Sequence, residues 1–72
     1  MAANYSGLWK ILIDKGINKT ILREKAGIST GTLAKLGRNE DVSTEVLEKI
    51  CFALDCKVGD IIDFEHIDLE EV

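Results

Sequence analysis

The sequence predicts an all-α fold built from five short helices. Apolar residues recur at helical spacing in four segments, a residue suited to N-capping precedes each of them, and a glycine follows each of the first two. The chain has 72 residues, is 46% hydrophobic and 31% charged, and contains no proline. This composition is typical of a globular protein, and the length corresponds to one domain near the lower limit for a self-sufficient core.

The first predicted helix begins at Asn4 or Ser6, either of which could act as the N-cap, and ends at Gly16. Glycine takes the left-handed conformation at low cost, so Gly16 suits the position after the last helical turn. Trp9 flanks the inward face of this helix. That face consists of Leu8, Ile11 and Leu12.

The next two predicted helices are short and closely joined. Asn18 caps a helix over residues 19–26, Gly27 ends it after about two turns, and Ser29 caps the next helix, over residues 30–37. Two short helices joined by a three-residue turn that opens with glycine form a helix-turn-helix arrangement. Their inward residues are Leu22, Ala26, Leu33 and Leu36.

Ser43 caps a fourth predicted helix that ends near Leu54, and a fifth helix or turn follows at residues 58–62. The sequence thus predicts a domain over residues 1–63 and an acidic tail over residues 64–72, which could form a strand or a loosely held arm. The predicted core consists of Leu8, Leu12, Leu22, Ile28, Leu33, Leu36, Leu47, Ile50 and Leu54.

Charge is distributed unevenly along the chain. The net charge is −4, but residues 10–38 carry seven basic and two acidic side chains, a net of +5. Residues 39–72 carry eleven acidic and two basic side chains, a net of −9. Such a separation gives the molecule a basic end that can attract a polyanion, although charged runs can also be merely solvated faces.

The runs NKTILREKAGISTGTLAKLGRN and VSTEVLEKICFALDCKVGDII resemble the Cro/repressor-type, or Xre-like, helix-turn-helix family of transcription regulators. The shared pattern covers about residues 8–62. The resemblance implies a compact, five-helix, lambda-repressor-like domain that binds double-stranded DNA and probes the major groove with helix 30–37. It also implies a regulator, most simply a repressor, that binds as a homodimer to an operator with two-fold symmetry.

The resemblance also implies a set of DNA-binding residues. Lys19 and Thr20 open helix two, where the family usually has a glutamine on the phosphate backbone. Thr30, Gly31, Thr32 and Lys35 lie where the family contacts base edges and nearby phosphates. Arg38 and Asn39 lie in the following loop, near the phosphate backbone. Lys10 is added because it belongs to the same basic segment. The full set is Lys10, Lys19, Thr20, Thr30, Gly31, Thr32, Lys35, Arg38 and Asn39. Arg23, Gly37 and Leu12 depart from the family pattern, so the resemblance to phage repressors is looser than that to smaller stand-alone regulators. The operator sequence is not transferred.

Helix 30–37 has an unusual outward face of small residues. Glycine at position 31 lowers helix stability by about 1 kcal/mol relative to alanine, and a helix that only faces solvent gains nothing in return. A face of threonine, glycine and alanine would let the helix approach the bases in a major groove about 12 Å wide. The alternative is that Gly31 and Ala34 contact another protein helix, since small residues permit that approach as well.

The sequence predicts a homodimer formed through helix five and the tail. This segment carries more apolar residues than a capping turn needs, and one helix-turn-helix reads only a half-site. The proposed interface residues are Ile61, Ile62, Phe64, Ile67 and Leu69.

Cys51 and Cys56 are five residues apart, which is about 140° around a helix, so we expect their thiols to point to different faces. A disulfide between them is therefore not expected, and each should behave as a small hydrophobe. Together with His66 they match no usual zinc-ligand spacing, so the sequence indicates neither a metal nor a cofactor.

The sequence contains neither a nucleophile–base pairing nor a phosphate-binding glycine loop, so we expect no enzymatic activity and no small-molecule ligand. No apolar run approaches the roughly 18 residues of a membrane span, and the first residues lack the features of a secretory signal. We expect a cytoplasmic protein with no membrane partner.

A second class of function is a protein-interaction module of the same fold, such as an antitoxin-like or anti-repressor-binding domain. The acidic majority of the chain and the small-residue face of helix 30–37 both fit that alternative. Binding of duplex DNA distinguishes the two classes.

Overall fold

A computed structural model describes residues 2–65 of the chain. The elements in chain order are β1 (Ala2–Asn4), α1 (Ser6–Lys15), α2 (Lys19–Ala26), α3 (Thr30–Gly37), α4 (Thr44–Leu54), α5 (Val58–Ile61) and β2 (Asp63–Glu65). The prediction of an all-α fold of five helices is confirmed in its helices, and the structure adds a small sheet of two strands. Within the described residues, no helix has the length and apolar character needed to cross a membrane.

Side-chain caps begin the middle three helices as the sequence predicts. Asn18 Oδ1 accepts the Ile21 N–H at 2.8 Å, and this fixes the start of α2. The side chains of Ser29 and Ser43 do the same for α3 and α4. Helix α1 differs, because its N-cap residue is Tyr5, whose side chain makes no cap bond, so the prediction of Asn4 or Ser6 as the N-cap is wrong. Asn4 Oδ1 nevertheless accepts the Ser6 N–H, the first of the helix, at 2.8 Å.

Left-handed residues end three of the helices. Gly16 has φ 67° after α1, and Gly27 has φ 68° after α2. A residue with a Cβ atom is strained in this conformation, so glycine is favoured at both positions. Asp55 takes the same conformation after α4, with φ 52°.

The core lies where α1, α2, α4 and α5 meet, and it contains most of the predicted residues. Two predictions are wrong: Leu33 and Leu47 are only partly buried and pack against the margin of the core. For α3 the reason is geometric. Leu36 occupies the centre of the inward face, and Leu33 lies about 60° from it around the helix. The buried residues are Ala3, Tyr5, Leu8, Leu12, Leu22, Ala26, Ile28, Leu36, Ile50, Leu54 and Ile61.

The two ends of the described chain pair with each other. Strands β1 and β2 are antiparallel, with Ala2 opposite Glu65, Ala3 opposite Phe64 and Asn4 opposite Asp63. Strand β2 therefore extends across the predicted domain boundary between residues 63 and 64. The rest of the predicted tail, residues 66–72, lies outside the described residues.

Helices α1 and α5 approach closely at Gly7. A Cβ atom on Gly7 would lie 2.3 Å from the carbonyl oxygen of Asp60, which is far inside van der Waals contact. Because the obstacle is backbone, it cannot rotate away, and only glycine fits without moving α5. Sequence analysis assigned no role to this residue.

The two cysteines are neighbours, so the prediction that their thiols face apart is wrong. Helix α4 ends at Leu54, and the left-handed Asp55 turns the chain back, so the Cys56 N–H bonds to the Cys51 carbonyl at 3.1 Å. The helical angle between positions 51 and 56 therefore does not apply. Burial, followed by the adjacent Cys51 thiol, raises the pKa of Cys56 to about 11. Both cysteines are free, and Cys56 is protonated at neutral pH.

Candidate nucleic-acid interface

The turn between α2 and α3 is fixed from both sides. The N–H groups of Gly27 and Ile28 both bond to the carbonyl of Arg23, at 3.0 and 3.2 Å. Ile28 is 7% exposed and anchors the turn in the core. Ser29 then starts α3 in a new direction. Local hydrogen bonds and one buried side chain thus set how α3 is presented to solvent.

The outward face of α3 consists of small residues and one cation. Thr30, Gly31, Ala34 and Lys35 are all exposed, and they lie opposite the fully buried Leu36. Helix α3 has eight residues, so this face is two turns long. A short, exposed ridge with little side-chain bulk is a shape that can enter a groove.

The fold does not require glycine at position 31. A Cβ atom there would find Ser29 Oγ as its nearest neighbour at 3.9 Å, which is ordinary contact. Gly31 also lacks the left-handed backbone that favours glycine at Gly27. The low helix propensity of Gly31 is therefore not offset by any packing within the described part of the chain. Glycine at position 31 must therefore be explained by what the exposed surface of α3 contacts, because packing inside the domain does not require it.

Thr32 lies at the margin of this face. It is half-buried, its N–H donates to Ser29 Oγ at 3.1 Å, and its own hydroxyl oxygen lies 2.9 Å from the same atom. The Thr32 hydroxyl thus takes part in the cap of α3. Of the predicted base-contacting residues, Thr30, Gly31 and Lys35 lie nearer the centre of the exposed face.

Lys19 and Thr20, both exposed, occupy the first turn of α2. The Lys19 Nζ atom lies over the ring of Trp9, 4.6 Å from the ring centroid. Trp9 belongs to α1 and is partly buried against the core. This contact joins α1 to the start of α2, and sequence analysis did not predict it. Lys10 is also exposed on α1.

The loop after α3 contains an ion pair. The Arg38 guanidinium pairs with the Glu40 carboxylate, and both side chains are largely exposed. Hydrogen bonding from Arg38, together with the positive charges of Arg38 and Lys35, lowers the pKa of Glu40. Glu40 is therefore ionised at neutral pH and partly neutralises the basic residues around it.

Tyr5 holds the same loop from the interior. It is fully buried, and its hydroxyl donates to the Glu40 carbonyl at 2.7 Å. The Tyr5 N–H donates to Asn39 Oδ1 at 3.2 Å, and Asn39 has the left-handed φ of 55°. The Asn39 side chain thus shapes the loop. Burial, and then the charge of Asp41, raises the pKa of Tyr5, so its hydroxyl keeps its proton.

Comparisons with known proteins agree with this geometry. Residues 7–66 match the Cro/C1-type helix-turn-helix DNA-binding domain. The crystal structure of the transcriptional regulator VanUg is 52% identical in sequence, with a TM-score of 0.84, over 86% of this chain and 83% of that one. No curated protein matches the chain. The fold and the exposed α3 define a helix-turn-helix domain. The chain belongs to the Cro/C1-type helix-turn-helix DNA-binding family.

Proposed function

We propose that this domain is a sequence-specific transcriptional repressor that reads the DNA major groove with α3. The observation that carries the proposal is Gly31, an exposed helical glycine with no packing role in the described fold. Its low helix propensity is accounted for if the helix must approach base edges closely. The similarity to a transcriptional regulator supports the same reading. Occupying an operator excludes other proteins from that duplex, so repression needs no further domain.

The protein acts as a homodimer in this proposal, because one helix-turn-helix reads one half-site and two half-sites lie about 34 Å apart. One predicted interface residue must be withdrawn: Ile61 is fully buried in the core and is unavailable to a partner. Ile62 is half-buried, and Phe64 on β2 is 49% exposed. Ile67 and Leu69 lie outside the described residues.

Selection from a random duplex library tests this proposal directly. We expect the enriched sequences to be palindromic, and sedimentation with one such site should give two protomers per duplex. A stable complex of one protomer per palindromic duplex would contradict the dimer. Failure to enrich any sequence would contradict sequence-specific reading.

Phosphate contacts and base contacts should separate in mutational tests. Alanine at Lys10, Lys19 or Arg38 should weaken binding to all sequences and lower the log–log salt slope by about 1 per lost contact. Alanine at Thr30, Thr32 or Lys35 should instead cost about 1–3 kcal/mol at particular base pairs. Filter binding or fluorescence anisotropy across several salt concentrations, on operator and unrelated duplexes, measures both effects.

Lys49 provides the matched control. It lies on α4 and pairs with Glu45 at 3.4 Å, in the acidic half of the chain. Lys49→Ala should leave the salt slope and the sequence preference unchanged. An equal loss at Lys49 and Lys19 would show that only the total charge matters.

An interaction module is the second candidate, and Phe52 favours it. This side chain is 89% exposed on α4, the highest value among the exposed large apolar side chains of the described residues. Glu48, Lys49 and Asp55 lie within one turn of it, so a docking protein would meet an exposed apolar residue among charged side chains of both signs. If the unaltered protein binds no duplex DNA, the interaction module is favoured over sequence-specific DNA binding.

A further inference from the structure

We infer that Trp9 is a positioning residue, whose ring holds the Lys19 ammonium ready for a DNA phosphate. This inference rests on the proposed function. The carrying observation is the placement of Lys19 Nζ, 4.6 Å from the centroid of the Trp9 ring. An ammonium within about 6 Å of an indole face is attracted by the negative charge density of the ring.

The ring is a firm support, because Trp9 packs against the core. Lys19 is exposed, and its four-carbon side chain would otherwise sample many rotamers. Binding a phosphate with a free lysine requires ordering that side chain at the moment of contact. The Trp9 ring orders it beforehand, and this reduces the entropy lost on binding.

The position of Lys19 argues against a role in stabilising its own helix. Lys19 is the first residue of α2, next to the Asn18 cap. A cation at a helix N-terminus is disfavoured by the helix dipole, whereas one near the C-terminus is favoured. Contact with Trp9 offsets this disadvantage in the free protein. A bound phosphate removes it, because the anion interacts favourably with both the ammonium and the helix end.

The chemistry of the ammonium allows both contacts together. Its three N–H donors are arranged around one nitrogen, so one side can face the ring while another faces a phosphate oxygen. The indole therefore need not release Lys19 when DNA binds. In this respect Trp9 differs from a carboxylate partner, which would compete with the phosphate for the same charge.

A double-mutant cycle on operator DNA tests the inference, with Trp9→Leu, Lys19→Ala and the double variant. We expect Trp9→Leu to weaken binding by about two- to fivefold, the equivalent of an exposed cation–π contact. It should leave the salt slope unchanged, because Lys19 still reaches the phosphate, whereas Lys19→Ala should lower the slope by about 1. In the Lys19→Ala background, Trp9→Leu should have no further effect on affinity. Trp9→Phe, which keeps an aromatic face, should recover part of the loss.

A Trp9 that serves only the fold would give a different result. Trp9→Leu would then weaken binding equally with and without Lys19, and that outcome overturns the inference while leaving DNA binding in place. If the unaltered protein does not bind DNA, the proposed function is overturned, and the positioning role of Trp9 is overturned with it. Circular dichroism of each variant gives the folded fraction, so that affinities are compared for folded protein.

Discussion

Gly31→Leu should make the protein more stable and abolish its preference for the operator. Leucine restores the helix propensity that glycine lacks, about 1 kcal/mol, and the site has room for a Cβ atom. The longer side chain projects from the exposed face of α3 and would hold the helix away from the base edges. Affinity for the operator should fall to that for unrelated DNA, a loss of about 10³-fold or more. Thermal unfolding and fluorescence anisotropy on both duplexes measure the two effects.

Two further variants make this test specific. Gly31→Ala adds only a methyl group and should produce a smaller loss of affinity together with similar stabilisation. Glu48→Leu places a leucine at an exposed position of α4, outside α3 and outside the segment proposed to dimerise, and should leave the preference for the operator unaltered. If Gly31→Leu binds its operator fully, close approach is refuted and the interaction module becomes the better interpretation.

Leu36→Ala should have the largest effect on folding. Leu36 is the only residue of α3 that is buried, at 0% exposed, so it joins this helix to the core. Truncating a buried leucine costs about 2–5 kcal/mol. Domains of this length have a free energy of unfolding of about 4–11 kcal/mol in total. Thermal or urea unfolding should therefore show the loss of a large fraction of the stability.

Leu33→Ala is the matched control on the same helix. Leu33 is only partly buried, so its truncation leaves a smaller cavity and should cost clearly less than that of Leu36. Equal losses at the two positions would mean that α3 is rotated about its axis, and the exposed face would then differ from the one described.

The helices could be predicted because their signals are local. Asn18 and Ser29 cap helices by bonding to an N–H three residues ahead, and Gly16 and Gly27 adopt left-handed conformations that the sequence alone indicates. Each signal depends on four or five consecutive residues. The bounds of α2 and α3 were accordingly predicted without error.

The features that sequence analysis failed to predict depend on contacts between residues distant in sequence. Nothing local to Gly7 indicates that the Asp60 carbonyl will lie beside it. Strand β1 has only three residues, too few to show an alternating pattern, and exists because β2 pairs with it. Ile61 was assigned to an interface because an apolar side chain in a short helix suits a partner surface as well as a core.

The candidate site likewise combines features that local sequence predicts with contacts that only the folded chain reveals. The outward position of Thr30, Gly31 and Lys35 follows from helical spacing and was predicted correctly, whereas Thr32, also predicted to face outward, is half-buried. Contacts made by Lys19, Arg38 and Asn39 were not predicted. Their partners Trp9, Glu40 and Tyr5 are indicated only by the folded chain. Their roles in binding DNA stay predictions.

The pairing of β1 with β2 joins the two ends of the described chain, which are far apart in sequence. Asn4 and Glu65 bond across 61 positions, whereas Tyr5 and Glu40 bond across 35. Longer closures cost more chain entropy, and helices form from contacts with near neighbours. The difference is small, because the cost grows only with the logarithm of loop length: closing 61 positions rather than 35 costs about 0.5 kcal/mol more. The strand pair therefore joins the two ends of the described chain at little entropic cost beyond that of the Tyr5 contact.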